Sequence, residues 1–328
     1  MKHKPKAIGL LSGGLDSMLA TRIILDQGIE VLGLAFTTPF FGAEKAERAA
    51  RQLQVPLTIQ DITDPHWVML KNPRYGYGKR MNPCIDCHAL MLRKAGEEME
   101  AIQADFLFTG EVLGQRPFSQ TKNSLRAVEK GSGFADRILR PLSARLLAET
   151  VPERQGVVDR SRLLDIQGRS RKRQIILAEG YGIKDYPTPA GGCLLTDPVF
   201  SRRLKELLQH APDPLRREIE FLKVGRHFRW RPEAKTIIGR NKKENDFIEE
   251  RLLPKDSWAR VLHVPGPLVI MPGWSGDEDD RMRMAGLVLS YSDALEGQTV
   301  PVQLGCADSR WLLKVLKLSK EFFREWMI

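Results

Sequence analysis

The stretch that most constrains this chain runs from Leu10 to Ser17. Before it, Ala7-Ile8-Gly9-Leu10-Leu11 is a short apolar run that reads as a buried strand. After it, Met18 to Leu25 carries apolar residues at helical spacing. Ser12-Gly13-Gly14 therefore joins a strand to a helix N-terminus. Such a turn presents backbone N–H groups and the positive helix end to an anion. Gly13 and Gly14 let a phosphate approach closely, and Ser12 and Ser17 add hydroxyl donors. Asp16 would repel phosphate directly, but it suits a metal ion that bridges to phosphates. No Gly-Lys-Ser/Thr follows, so the turn is not a Walker loop.

Downstream, apolar strands alternate with helical patterns. Val31 to Phe36 and Leu57 to Asp61 read as strands, with a helix from Ala43 to Leu53 between them. A helix over Leu90–Ile102 leads to a strand at Phe106–Thr109. This alternation predicts an α/β fold, a doubly wound parallel sheet with helices on both faces. Ligands of such sheets bind beyond the strands' carboxyl ends, where the Ser-Gly-Gly turn and Thr109-Gly110-Glu111 both fall. The texture changes after Tyr186-Pro187-Thr188-Pro189, and from about Leu222 short strand-like runs are broken by Pro and Gly. That predicts a second, smaller α+β domain. The expected division is 1–215 and 216–328.

With 51 Lys and Arg against 41 Asp and Glu, the chain carries a net charge of +10, which favours a polyanionic partner such as RNA. The segment Lys71 to Arg80 holds four cations, two tyrosines and no acid. Arg74, Lys79 and Arg80 with Tyr75 and Tyr77 suit a nucleic-acid backbone and a splayed base. The same residues also suit a plain solvated loop. Arg160 to Arg173 is a second basic run with the same two readings. No signal peptide or membrane-length apolar run is visible, so a cytoplasmic location is expected.

In a reducing compartment, four cysteines point to metal binding or catalysis rather than disulfides. Cys84 and Cys87 form a C-x-x-C in Asn82-Pro83-Cys84-Ile85-Asp86-Cys87, expected on a tight turn that brings both sulfurs to one side. Cys193 follows Pro189-Ala190-Gly191-Gly192, and Cys306 stands alone. Four readings stay open. A zinc site would need a fourth ligand from Asp86, His88 or Cys306. A persulfide relay would pair one of the C-x-x-C thiols with Cys193. An iron–sulfur cluster on three thiolates would leave one iron open to a sulfide. The cysteines could also be inert.

The loop Ser-Gly-Gly-Leu-Asp-Ser resembles that of the pyrophosphatases that split ATP into AMP and pyrophosphate. Together with Asn-Pro-Cys-Ile-Asp-Cys and Gly-Gly-Cys it resembles the tRNA 2-thiouridine synthetases. Thr109-Gly110-Glu111-Val112-Leu113-Gly114-Gln115, Ser119-Gln120 and Leu139-Arg140-Pro141-Leu142 resemble the tRNA 4-thiouridine synthetases. The cysteine trio is similar to the iron–sulfur branch of tRNA-thiolating enzymes. The likeness spans about residues 6–196.

That resemblance implies adenylation of a uracil carbonyl by ATP, then displacement of AMP by sulfur. It implies ATP contacts from Leu11, Ser12, Gly13, Gly14, Asp16, Ser17, Phe36, Gly110 and Gln115, with Mg²⁺ placed by Asp16. It implies a 4Fe-4S cluster on Cys84, Cys87 and Cys193, with Asp16, Cys84 and Cys193 as the catalytic residues. Gln120 is a further candidate contact to nucleotide or base. The N-terminal RNA-binding region and rhodanese-like carrier of the 4-thiouridine enzymes find no counterpart here, so the sulfur donor could be sulfide or a relay protein.

The tail resembles the RNA-binding domain of NFACT-type proteins, through Ile238-Gly239-Arg240-Asn241-Lys242-Lys243, His263-Val264-Pro265-Gly266-Pro267 and Tyr291-Ser292-Asp293-Ala294. Arg240, Lys242 and Lys243, with Asn241 and His263, are the implied RNA contacts, and tRNA or another RNA is the implied partner. Two readings outside thiolation stand beside this one. One is an amide-forming ATP pyrophosphatase. The other is an RNA-binding quality-control protein that only senses nucleotide.

Overall fold

A computed structural model describes residues 4–188, 192–274 and 276–328. Pro189, Ala190 and Gly191 of the Gly-Gly-Cys motif lie outside the described residues. The chain divides into two compact units, Met1–Thr196 and Asp197–Ile328. The division falls earlier than the boundary drawn at 215, because the helix over Pro198–His210 belongs to the second unit.

In the first unit, strands β1 (Lys6–Leu10), β2 (Glu30–Thr37), β3 (Leu57–Asp61), β4 (Phe106–Thr109) and β5 (Ile138–Leu139) form one sheet in the order β3-β2-β1-β4-β5. Every pairing is parallel. Helices α1 (Leu15–Leu25), α2 (Glu44–Leu53), α3 (Thr63–Lys71), α4 (Cys84–Ala101), α5 (Lys122–Ser132), α6 (Val151–Arg154) and α7 (Lys172–Gly180) complete the unit.

Strand alternation explains why both faces are covered. Ala7, Val31, Ala35, Phe106 and Phe108 face a core shared with α1, α2 and α7. Ile8, Leu34, Leu107 and Ile138 face a second core shared with α4 and α5. Apolar residues on both faces of the central strands β1, β2 and β4 are what a parallel sheet buried on two sides requires, while the edge strand β3 carries Thr58 and Gln60. The order reverses between β1 and β4, so the crevice of the fold opens between the loops that follow those two strands. The doubly wound sheet is therefore as expected.

In the second unit, α8 (Pro198–His210) and α9 (Arg216–Phe221) precede an antiparallel sheet. Its strands are β6 (Arg226–Arg229), β7 (Lys235–Ile238), β8 (Ser257–Val261), β9 (Leu268–Met271), β10 (Thr299–Cys306) and β11 (Ser309–Leu316), ordered β11-β10-β8-β9-β7-β6. Helix α10 (Lys242–Glu249) covers one face over β7 and β9, and α11 (Glu278–Ser290) covers the other. The acidic Gly276–Asp280 run does begin a helix: the Asp277 carboxylate accepts from the Asp280 N–H at 2.9 Å. No helix among the described residues is long and apolar enough to cross a membrane.

Candidate active site in the first unit

The glycine turn lies where β1 ends at the crevice. Gly13 has φ +74°, and a Cβ there would be driven into the backbone of Lys45 on α2. A Cβ on Gly110, just past β4, would strike the backbone of Asp16 and Ser17. Both glycines are therefore demanded by close approach, and the two loops at the reversal point touch. Ser17 Oγ donates to Gly14 O at 2.8 Å, and the Gly14 N–H reaches Ser12 Oγ at 3.3 Å. These bonds shape the turn and hold α1 at its first residues. Leu11 is buried in the core beside the turn. Phe36 is also buried, and its side chain packs in the α4-side core.

Asp16 is oriented by a relay that the sequence did not reveal. Gln174 Nε2, fully buried on α7, donates to Gln115 Oε1 at 3.0 Å, and Gln115 Nε2 donates to Asp16 Oδ2 at 2.6 Å. Asp16 Oδ1 is buried with no hydrogen-bond partner among the described residues. A carboxylate with one oxygen fixed and the other buried and bare suits an oxygen-seeking cation such as Mg²⁺. Gln115, expected as a nucleotide contact, thus has both ends of its amide engaged by protein. Gln120 is buried, with Oε1 unpartnered among the described residues. Lys45 and Arg48 of α2 line a small cavity of about 60 Å³ with Gly13, Ala49, Asp185 and Pro187, placing two cations beside the turn.

The thiols stand next to this arrangement. Cys84 and Cys87 sit in the first turn of α4, which starts at Cys84 rather than at the expected Leu90. The C-x-x-C is therefore helical, not a tight turn. Pro83 at the N-cap and Asp86 in the first turn are the local reasons, both favourable at a helix start. Asn82 Nδ2 donates to Cys84 Sγ at 3.2 Å. Leu194, after Cys193, donates its N–H to Phe40 O at 3.0 Å, and a Cβ on Gly192 would lie 3.6 Å from Lys45 Nζ. Lys45 is also the residue whose backbone abuts Gly13.

The three sulfurs share one electrostatic neighbourhood. Burial first, then charge on Cys193, Cys84 and Asp86, pushes the Cys87 thiol well above its usual range. Burial pushes Cys193 up to about 11; the Leu195 N–H and Arg116 pull it down, and Cys84 adds to the rise. Three thiolates so placed are unfavourable unless a positive centre binds them. No set of three His, Cys, Asp or Glu among the described residues is gathered closely enough for one metal ion, so the zinc arrangement finds no support. Cys306 lies in the second unit, near Pro254 O.

A buried ion-pair group ties the thiol helix to the crevice. Glu111 accepts from Arg140 Nε at 3.0 Å and pairs with His88 Nδ1 at 2.9 Å; Arg140 also binds Glu129. Burial would raise the Glu111 carboxyl, but the Arg140 charge and then His88 hold it down to about 2. His88 follows Cys87, and Glu111 follows Gly110, so thiols and glycine turn are linked through two residues. Both motifs were visible in the sequence; their pairing was not.

The basic loop 71–80 is anchored to the same helix. Asp86 Oδ1 and Oδ2 accept the backbone N–H groups of Arg74 and Tyr75 at 3.2 and 3.0 Å, and the Arg80 N–H reaches Asn82 Oδ1 at 3.0 Å. The side chains of Arg74, Tyr75, Tyr77, Lys79 and Arg80 are exposed. In the Arg160–Arg173 run, Arg160 pairs with Glu153, Arg162 caps Asp26 O at 2.8 Å, and Arg173 pairs with Asp165 at 2.7 Å. Much of that charge serves the fold. In the second unit, Arg240 is bound by Glu244 at 2.9 Å, while Lys242 and Lys243 are exposed on the first turn of α10. His263 sits in a left-handed turn, φ +66°.

Residues 3–145 match the ThiI family model, described as thiamine biosynthesis protein. Residues 225–327 match a second family model, the NFACT protein RNA binding domain. A "Probable tRNA sulfurtransferase" of Ureaplasma parvum is 32% identical over 147 residues, 42% of this chain and 37% of that protein. A tRNA-specific 2-thiouridylase MnmA of Desulfitobacterium hafniense is 30% identical over 131 residues, 34% of each chain. The chain spans about a third of the length of these curated relatives. A solved 4-thiouridine synthetase–RNA complex with bound ATP aligns with TM-score 0.35 and 22% identity, covering 66% of this chain and 52% of that one. The ThiI-like stretch contains the glycine turn, Cys84, Cys87, Glu111 and Arg140. Cys193 lies beyond it.

Proposed function

We propose that this chain is an ATP-dependent RNA sulfurtransferase, acting on uridine in tRNA. The observation that carries the reading is one unit in which an anion-binding glycine turn and the helix bearing Cys84 and Cys87 are tied together by the His88–Glu111 pair. The ThiI-like and RNA-binding matches support it.

Gly13, Gly14, Ser12 and Ser17 bind the triphosphate through N–H and O–H donors at the helix start. Asp16, with its bare Oδ1, would hold Mg²⁺, which would supply positive charge to the phosphates. Lys45 and Arg48 add positive charge where pyrophosphate leaves. The uracil carbonyl oxygen attacks the α-phosphorus, the bond to the β-phosphate breaks, and pyrophosphate departs. A sulfur nucleophile then attacks the ring carbon, and AMP leaves with the former carbonyl oxygen. Activation is needed because an oxide is a poor leaving group and AMP is a good one.

Cys84, Cys87 and Cys193 form a donor set fitting a 4Fe-4S cluster, in which each thiolate binds a different iron, so the sulfurs need not converge on one ion. Such a cluster would supply an open iron able to bind sulfide. Asn82 orients the Cys84 sulfur through its amide donor, and His88, held by Glu111, fixes the start of the helix that carries two of the ligands. A second reading keeps the same activation but takes sulfane sulfur from a persulfide donor. A Cys84 persulfide attacks the ring carbon as AMP leaves, Cys193 then attacks the Cys84 sulfur of the resulting disulfide to release the thiocarbonyl, and a thiol reductant reopens the Cys84–Cys193 disulfide. The loop bearing Arg74, Lys79 and Arg80 faces RNA in both readings, and Lys242 and Lys243 add contacts from the second unit.

The deciding experiment incubates anaerobically reconstituted protein with tRNA, ATP and either sulfide or a persulfide-charged donor with a thiol reductant, then identifies the nucleosides by mass spectrometry. A thiouridine that requires ATP supports the reading, and its absence overturns it. Iron and acid-labile sulfide in the anaerobic protein select the cluster; iron-free protein that thiolates with a persulfide-charged donor and a thiol reductant, but not with sulfide, selects the persulfide.

A further inference from the structure

Helix α10 covers only part of the outer sheet face in the second unit. The remaining part, made by β8, β10 and β11, has a definite side-chain pattern. Register pairs Gly305 with both Trp258 and Arg310, Gln303 with Arg260 and Leu312, and Pro301 with Lys314. These residues share one face, since they alternate with Ala259, Val302, Leu304, Leu313 and Val315, which pack under α11. A Cβ at Gly305 would lie 2.5 Å from the Trp258 ring, so the bare glycine is what lets the indole lie across the strand. The guanidinium carbons of Arg260 and Arg310 each stand 5.2 Å from the ring centroid. Arg260 Nε also donates to Gln303 Oε1 at 3.0 Å. Arg260, Arg310 and Lys314 are exposed, and Leu312 is 63% exposed. No Asp or Glu occupies an outward position on these three strands.

We propose that this face is where the chain holds single-stranded RNA, with Trp258 as the stacking platform and Arg260, Arg310 and Lys314 as the phosphate contacts. The proposal rests on the reading of the second unit as RNA-binding and specifies the surface. Two features favour this occupant. Three cations without an acid are complementary to a phosphate chain. A strand-borne aromatic flanked by arginines offers what an unpaired base stacks on, while a duplex hides its base faces. Gln303, whose Oε1 accepts from Arg260, presents its amide N–H donors at the same level, able to meet a base edge. Arg310 Nη1 donates to the carbonyls of Ala307 and Ser309 and keeps its charge unpaired by an acid among the described residues, whereas Arg240 of the α10 turn is neutralised by Glu244.

The test measures binding of the full chain to a fluorescent dodecameric oligouridine, to a tRNA and to an RNA duplex across a salt series. Four variants are compared with wild type: Arg260→Ala/Arg310→Ala/Lys314→Ala, Trp258→Leu, Lys242→Ala/Lys243→Ala, and Leu312→Asp. The three exposed cations can be removed with little effect on folding, which a melting curve checks. The triple variant is expected to bind oligouridine at least about tenfold more weakly, with the log K against log salt slope reduced by roughly two. Trp258→Leu is expected to weaken binding at every salt without changing that slope.

Unchanged affinity and slope in the triple variant overturns the surface assignment, as does an effect seen only with Lys242→Ala/Lys243→Ala. Equal binding of duplex and oligouridine overturns the single-strand assignment. Self-association of the chain that is abolished by Leu312→Asp while RNA affinity is retained would make the face a homodimer interface instead. Wild-type protein that binds no RNA overturns the RNA reading itself, a result distinct from the others.

Discussion

Replacing Glu111 by Gln tests whether the buried ion-pair group holds the first unit together. Glu111 is 7% exposed and Arg140 2%, so solvent screens their pair little. A carboxyl held at about 2, against an ordinary 4.5, contributes about 3 kcal/mol to stability when ionised. The sign follows from the depressed value: the contribution is full above pH 4.5 and is lost as pH falls towards 2. An amide cannot ionise, so Glu111→Gln should cost about 3 kcal/mol at pH 7 and less than half of that at pH 3. That agrees in size with breaking one side of a buried pair. Because the chain has two units, a single unfolding transition would blend them. Hydrogen–deuterium exchange in urea, read on peptides from β4 and α4, isolates the relevant unit. A penalty below about 1 kcal/mol at pH 7, or one that stays constant down to pH 3, would refute the reasoning.

Gly13→Ala should destabilise the first unit by at least about 1–2 kcal/mol from its left-handed backbone alone; calorimetric titration should find ATP binding lost, and full-affinity binding would contradict the role given to the turn. Gln115→Ala frees the Asp16 carboxylate, and Mg-ATP affinity should fall about tenfold, the size expected for a hydrogen bond to a charged group; unchanged affinity means the relay does not orient Asp16. Cys193→Ala should abolish thiouridine formation while ATP binding persists, and retained thiolation would remove both the cluster and the persulfide readings.

The strands and helices around the crevice were legible because a two-sided parallel sheet writes itself as apolar runs separated by helical periods. Its strand order was not: β4 pairs with β1 across nearly 100 residues, and nothing local encodes that choice. Sequence periodicity places the start of α4 at Leu90, although Pro83 and Asp86 are helix-start signals, because a C-x-x-C invites the reading of a turn. Glu111, His88 and Arg140 stand in motifs visible in the sequence, yet only the fold brings them together, as it does Gln174 with Gln115. Strand β11 is hidden because its outward positions include Leu312 and Leu316, which erase the polar–apolar alternation. The same outward leucines, with arginines beside them, mark the face that the tail motifs do not indicate.

Asp86 sits between Cys84 and Cys87, and its two carboxylate oxygens hold the backbone of the tyrosine-bearing loop. One side chain thus belongs at once to the part that would meet a substrate and the part that would deliver sulfur. Neither can be redesigned alone. A loop grafted from a relative must bring along the residue at position 86, and a change there will be felt at the thiols even when both cysteines are left in place.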